Sequence, residues 1–155
     1  YGLPGLRIGW IASQDKQALQ DMERYKHFLT ICNSAPSEIL ALIALRAREK
    51  ILDRNRKLLA SNLTKLDKFF DEFPDVFEWR RPDGGAVAYP KYIGPGTANQ
   101  FCEDLIEQTG VMILPPRIYN SDLLSTPQDH FRIGFGRTGM DEMLDIFYHY
   151  LKKNR

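Results

Sequence analysis

The stretch Tyr1-Gly2-Leu3-Pro4-Gly5-Leu6-Arg7-Ile8-Gly9-Trp10 sets three glycines and a proline around a single arginine. No Gly-Lys-Ser/Thr follows, so it is not a Walker loop, and its glycines miss the GxGxxG spacing of a dinucleotide fingerprint. An arginine between Gly5 and Gly9 can still lie close to the backbone and present a planar, permanently charged fork to a phosphate or carboxylate. The competing reading is an ordinary arginine on a strand edge. Residues 7–12, RIGWIA, carry β-branched and aromatic side chains after the breaker-rich GLPG, which predicts a short strand entered from a loop. No initiator Met, basic region or apolar run precedes this glycine-rich segment, so the sequence reads as starting inside a larger unit.

Downstream, residues 15–29 place Leu19, Met22, Tyr25 and Leu29 at helical spacing, one apolar stripe meant for a core. A loop over residues 32–36 ends that helix. From residue 37 to 73, Leu45, Leu52, Leu59, Leu66 and Phe73 recur every seven residues, with Leu63 and Phe70 widening the stripe. This predicts one long helix, or two nearly collinear ones, reaching roughly 50 Å and linking two bodies. Pro74 stops it. VFEWR and AVAYP then flank Pro82-Asp83-Gly84-Gly85, a pattern that predicts a β-hairpin. Residues 97–109 read as a helix closed by Gly110, and residues 111–114 and 131–135 as short strands. Met140, Met143, Leu144, Phe147, Tyr150 and Leu151 mark a last amphipathic helix, with Thr138 or Asp141 as its cap and Lys152, Lys153 and Arg155 at its negative end. The expected organisation is the tail of an α/β unit over 1–36, a linking helix over 37–73 and a small α+β domain over 74–155 with helices on one sheet face.

At 155 residues the chain can bury a substantial core without staples, and 43% hydrophobic with 26% charged residues is ordinary globular composition. The longest apolar run, residues 39–45, falls far short of the ~18 residues of a membrane span. A net charge of +1 steers the protein toward neither nucleic acid nor anionic lipid. Cys32 and Cys102 are far apart with no CxxC spacing and no adjacent histidine, which points to reduced thiols in a cytoplasmic protein and to no metal site. Arg46, Arg48, Lys50, Arg54, Arg56 and Lys57 against Glu49 and Asp53 make a basic helix segment. It reads as a solvated or inter-subunit surface, since no aromatics interleave it. His27, His130 and His149 have no partner spacing.

The pattern Gly2-Leu3-x-Gly5-x-Arg7-x-Gly9 resembles the segment after the Schiff-base lysine in class I/II aminotransferases, pyridoxal-phosphate enzymes of fold type I. The resemblance implies that Arg7 contacts the cofactor phosphate and that the lysine falls just before Tyr1, so this chain carries no catalytic residue and is inactive alone. Phe131-Arg132-Ile133-Gly134-Phe135-Gly136-Arg137 resembles the family's strand whose arginine pairs with the substrate α-carboxylate, and Arg132 occupies that position. The chemistry needs a guanidinium there, because two parallel charge-assisted bonds fix where the Cα hydrogen points. The remaining segments agree in order with the family across nearly the whole chain. The implied fold is the C-terminal small domain of such an enzyme, with the linking helix and the tail of the large domain. The implied activity is transfer of an amino group between an amino acid and a 2-oxo acid by a homodimer. Where the family often has Pro-Gly, this chain has Pro115-Pro116-Arg117, which leaves Arg117 and Arg137 as rival carboxylate partners. A decarboxylase, lyase or cyclising synthase of the same fold, or a noncatalytic module using the basic helix, remain alternatives.

Overall fold

Gly2, at φ 69°, and Pro4 bend the chain into a single 3-10 turn, Pro4–Leu6, that ends on Arg7 in the left-handed region (φ 53°, ψ 32°). The Arg7 N–H closes the turn on the Pro4 carbonyl at 3.2 Å. The computed structural model describes residues 1–154 and divides the chain into two units, Tyr1–Asn55 and a second from Arg56 onward. Arg155 lies outside the described residues, so its expected place at the end of the last helix goes untested.

In the first unit the expected strand over residues 7–12 does not form. Arg7 cannot begin an extended run from a left-handed backbone, and no backbone hydrogen bond ties residues 8–12 to another segment among the described residues. Helix α1, Lys16–Leu29, starts where the Asp15 carboxylate accepts the Ala18 N–H at 3.0 Å. Its stripe meets no core within this unit: Tyr25 is 68% and Leu29 70% exposed, and only Ala18 and Leu19 are half-buried. Helix α2, Ala35–Arg46, takes Pro36 into its first turn, where the missing N–H costs nothing, so the loop is shorter than expected. The periodic segment is two helices. After a break at Ala47, α3 runs Arg48–Asp71, and the division between units falls inside it.

The second unit contains the core. Helix α3 supplies Leu66, Phe69 and Phe70, followed by Phe73 just past its end. Strand β1, Phe77–Glu78, does not pair with the AVAYP segment as a hairpin. Pro90 has no N–H for a ladder, and the segment is divided there between two neighbours. Strand β2, Val87–Ala88, pairs with a later strand, and β3, Lys91–Tyr92, pairs antiparallel with β1 in the register Phe77↔Tyr92. Helix α4, Ala98–Thr109, is capped by Thr97 at its start and by left-handed Gly110 at its end. Strand β4, Ile133–Gly134, pairs antiparallel with β2 in the register Val87↔Gly134 and Ala88↔Ile133. The expected strand at 111–114 contributes one bridge, Leu114 to Arg132. Helix α5, Met140–Lys153, begins at Gly139, whose φ of 83° suits glycine alone, and neither Thr138 nor Asp141 caps it.

Phe131, Ile133 and Phe135 point inward and are 2% exposed or less. Phe131 meets Phe77 and Phe101, and Phe101 in turn meets Phe147 of α5 at 6.0 Å between ring centroids. Each such side chain contributes roughly 1.5–3 kcal/mol by burial. Helices cover one face of the strands, and the fold is α+β. Strict alternation therefore sends Arg132, Gly134 and Gly136 to the opposite face. A Cβ on Gly136 would stand 2.9 Å from that of Ala86, so the strand needs glycine there. No helix among the described residues is long and apolar enough to cross a membrane.

Candidate functional site

The two candidate arginines lie in different units, and each is described in its own surroundings. Arg7 is exposed, and its guanidinium donates to the carbonyl of Pro4, three residues back, at 3.3 Å. No carboxylate pairs with it among the described residues. A non-glycine residue at φ 53° is uncommon, and such strain tends to gather at binding sites. Cβ atoms built on Gly5 and Gly9 would meet nothing within 4 Å, so space is open on both sides of the arginine in this unit. The charge, the exposure and the absence of an acidic partner fit a phosphate dianion. Arg7 also lines a groove along α1 with Trp10, Met22, Tyr25 and Lys26.

Arg132 is half-buried on the outer face of its strand. Its backbone is fixed on one side by paired hydrogen bonds to Leu114, at 2.8 and 3.0 Å. On the other side the β2–β4 register, extended by the Phe131 N–H bond to the Pro90 carbonyl, sets Tyr89 across from it. The Nη1 group donates to the Tyr119 hydroxyl at 3.0 Å, and no carboxylate pairs with the guanidinium among the described residues. Tyr119 lies at the end of the 3-10 turn Pro116–Tyr119, which the double proline starts. Its ring meets Tyr89 edge-on at 6.2 Å, and Tyr89 stacks on His130 at 5.2 Å. His130 Nδ1 lies 2.7 Å from the Asp129 carboxylate. That bond is the main reason the Asp129 carboxyl titrates below the usual range. Burial first, then the neighbouring Tyr119 and Asp129, push the Tyr89 phenol above its ordinary value.

The rival arginines are differently placed. Arg117 is ion-paired with Glu103, which neutralises it before any substrate arrives. Arg137 lies in the exposed turn beyond Phe135, where its carbonyl accepts from Asn62 Nδ2 at 2.7 Å. Sequence reasoning passed over Tyr119, Tyr89, Asn62 and the Asp129–His130 pair. Residues 86–90, AVAYP, show no polar alternation that would mark Tyr89; only the strand register puts it on the same side as Arg132. Cys32 is exposed and Cys102 buried, both as free thiols, and burial pushes the Cys102 thiol up to about 12.

Comparison with known proteins bears on the chain as a whole. Residues 1–151 match the family described as aminotransferase class I and II. Capreomycidine synthase of Streptomyces vinaceus is 26% identical over 136 residues, which are 87% of this chain and 33% of that protein. A crystal structure of a PLP-dependent aminotransferase from Streptococcus suis superposes with a TM-score of 0.84 at 28% identity, over 99% of this chain and 39% of that one. The PLP-dependent cyclase OrfR gives a TM-score of 0.84 over 100% of this chain and 41% of its own, and its 24% identity speaks to the fold alone. The chain thus spans roughly a third to two fifths of the relatives it matches.

Proposed function

Because the chain belongs to the class I and II aminotransferase family, we propose that it is the C-terminal part of a pyridoxal-phosphate enzyme that moves an amino group between an amino acid and a 2-oxo acid. Pyridoxal phosphate, when bound, supplies an electron sink for charge developing at the substrate Cα. In this reading Arg7 holds the cofactor phosphate and Arg132 receives the substrate α-carboxylate. No residue of this chain is assigned to move the Cα proton; the family resemblance places the lysine for that step just before Tyr1. Residues 1–36 are assigned to the end of the cofactor-binding domain, 37–73 to the linking segment and 74–155 to the small domain. The exposed apolar side chains of the first unit, Trp10, Phe28, Ile31 and Leu40 among them, support assembly with the rest of that domain and as a homodimer. Two free thiols support a cytoplasmic location.

The observation that carries this reading is the state of Arg132, a half-buried guanidinium bonded to a neutral phenol while Arg117 nearby in sequence is neutralised by Glu103. Arg132→Lys in the complete enzyme keeps the charge and loses the bidentate fork. We expect kcat/KM for an amino acid to fall at least ~100-fold, about 2.7 kcal/mol of transition-state stabilisation, with amines lacking a carboxylate nearly indifferent. Equal losses for amines and amino acids would assign Arg132 to the support of its strand. A second reading, a cyclising synthase, draws on the likeness to capreomycidine synthase. Product analysis separates the two, since only transamination leaves a 2-oxo acid.

A further inference from the structure

A guanidinium offers five N–H donors, and the side chain of Arg132 has one partner among the described residues, Tyr119. That partner is itself half used. The phenol oxygen accepts from Nη1, and the O–H has no acceptor among the described residues, so its proton is left to donate beside the fork. The ring is held from behind. Tyr89 meets it edge-on, His130 stacks on Tyr89, and Asp129 holds His130, a row fixed by the strand carrying Arg132 and the strand across from it. The 3-10 turn that presents Tyr119 begins at Pro116 and is tied to α4, where the Asn99 side chain accepts the Arg117 N–H at 3.3 Å. Tyr119 therefore reaches Arg132 from a different segment than Tyr89, with a rigid turn behind it.

We propose that Tyr119 is a second recognition residue of the carboxylate site: its hydroxyl holds the Arg132 guanidinium on the outer face of the strand and donates a hydrogen bond to the carboxylate that the fork receives. The proposal rests on the reading of Arg132 as the carboxylate arginine and adds a residue to it. A phenol suits the task because it is neutral. A carboxylate in the same place would neutralise the arginine, as Glu103 does Arg117, and a phenylalanine would leave the fork free to swing. Fixing the fork before the substrate arrives saves the ordering cost at the moment of binding.

Tyr119→Phe removes one oxygen and keeps the ring contacts. The test uses the complete enzyme with propionate as a non-reacting carboxylate, its Kd measured by equilibrium dialysis, and with L-alanine and ethylamine as carboxylate-bearing and carboxylate-free amines. We expect propionate affinity to fall about 10-fold and the KM for L-alanine to rise by a similar factor, the low end for a hydrogen bond to a charged group. Ethylamine turnover and the melting temperature stay unchanged. In an Arg132→Gln background Tyr119→Phe costs less than in the parent, because the fork it holds is gone and only its own hydrogen bond to the carboxylate is left to lose. If Arg132→Gln weakens propionate binding and Tyr119→Phe does not, Tyr119 has no recognition role and Arg132 keeps its own. If Arg132→Gln leaves propionate binding intact, both assignments fall. A loss in Tyr119→Phe shared equally by ethylamine overturns the proposal as well.

Discussion

Asn62 offers a prediction whose magnitude follows from its contacts. It is the one buried polar side chain among the described residues, 2% exposed, and its Nδ2 group donates to the carbonyls of Phe135 at 3.0 Å and Arg137 at 2.7 Å. Those carbonyls belong to the chain leaving β4, a few residues beyond Arg132, so one amide on α3 holds the exit of the strand that carries the candidate arginine. Asn62→Leu keeps the branched shape and the number of heavy atoms and removes both donors. The Phe135 carbonyl is buried and left without that partner, at a cost of about 1–3 kcal/mol, while the Arg137 carbonyl reaches water and costs about 1 kcal/mol. A destabilisation of about 2–4 kcal/mol follows. For a unit of this size each kcal/mol moves the melting temperature by roughly 4–8 °C, so a drop on the order of 10–25 °C is expected in thermal unfolding followed by near-UV circular dichroism. Thr64→Ala, which removes an exposed bond to the Ala60 carbonyl on the same helix, is the control and should stay within ~0.5 kcal/mol. An Asn62→Leu variant that melts with the parent would refute the reasoning.

In native protein at pH 8 a thiol reagent should modify exposed Cys32 quickly and spare Cys102, whose thiol burial pushes up to about 12 against the weaker pull of Arg117; two fast thiols without denaturant would contradict the buried placement. The Asp129 carboxyl is held low chiefly by His130, so its contribution is present above the ordinary carboxylate value of ~3.9 and is lost as pH falls through the lowered folded value. His130→Ala should move the Asp129 titration back up, as read from its carboxyl carbon by NMR, and an unmoved titration would discard the pairing. Arg7→Ala in the complete enzyme should weaken cofactor binding by about 1.5–3 kcal/mol, roughly 10 to 150-fold, in a fluorescence titration. Arg7→Gly should lose the same affinity while relieving the left-handed backbone, and unchanged affinity in both would make Arg7 structural.

Periodicity carried the helices because their signal is local. Leu66, Phe70 and Phe73 sit in the core as their spacing requires, and Gly110 caps α4 as a glycine after a helical run should. Pairing partners were not legible, since they depend on residues far away. VFEWR and AVAYP are each plausible strands around a good turn, and only the strand at 131–135, which takes β2 for itself, shows why they do not meet along their length. Residues 7–12 mislead for a related reason. Composition favours extended backbone, but a strand exists through its neighbour, and among the described residues no segment pairs with it. Likewise α1 has a correct stripe and no core within its unit, because an amphipathic pattern states that a face will be covered and not by what.

The candidate arginines could be named from sequence, and the residues that support them could not. Arg7 stands out in sequence because Gly5 and Gly9 flank it, and Arg132 because it opens the segment Arg132-Ile133-Gly134-Phe135-Gly136; the structure gives these glycines a physical use. Gly5 and Gly9 leave open space beside Arg7 within its unit, and Gly136 lets the strand of Arg132 approach Ala86. The supporting residues reach their arginines by longer routes. Tyr119 approaches Arg132 across a proline turn, Tyr89 through strand register, and Asn62 from a helix far earlier in the chain. Most cations that the second unit pairs by ion pair lie at exposed or partly exposed positions opposite an acid, as with Lys65 and Asp141, Arg81 and Asp67, and Arg117 and Glu103. Arg132 is the exception in kind, half-buried yet given a phenol. Desolvating a guanidinium without a counter-charge is unfavourable for the isolated fold. A fold that keeps it so gains nothing unless an anion comes to it, and this is the physical ground on which a carboxylate is assigned to Arg132 and not to Arg117.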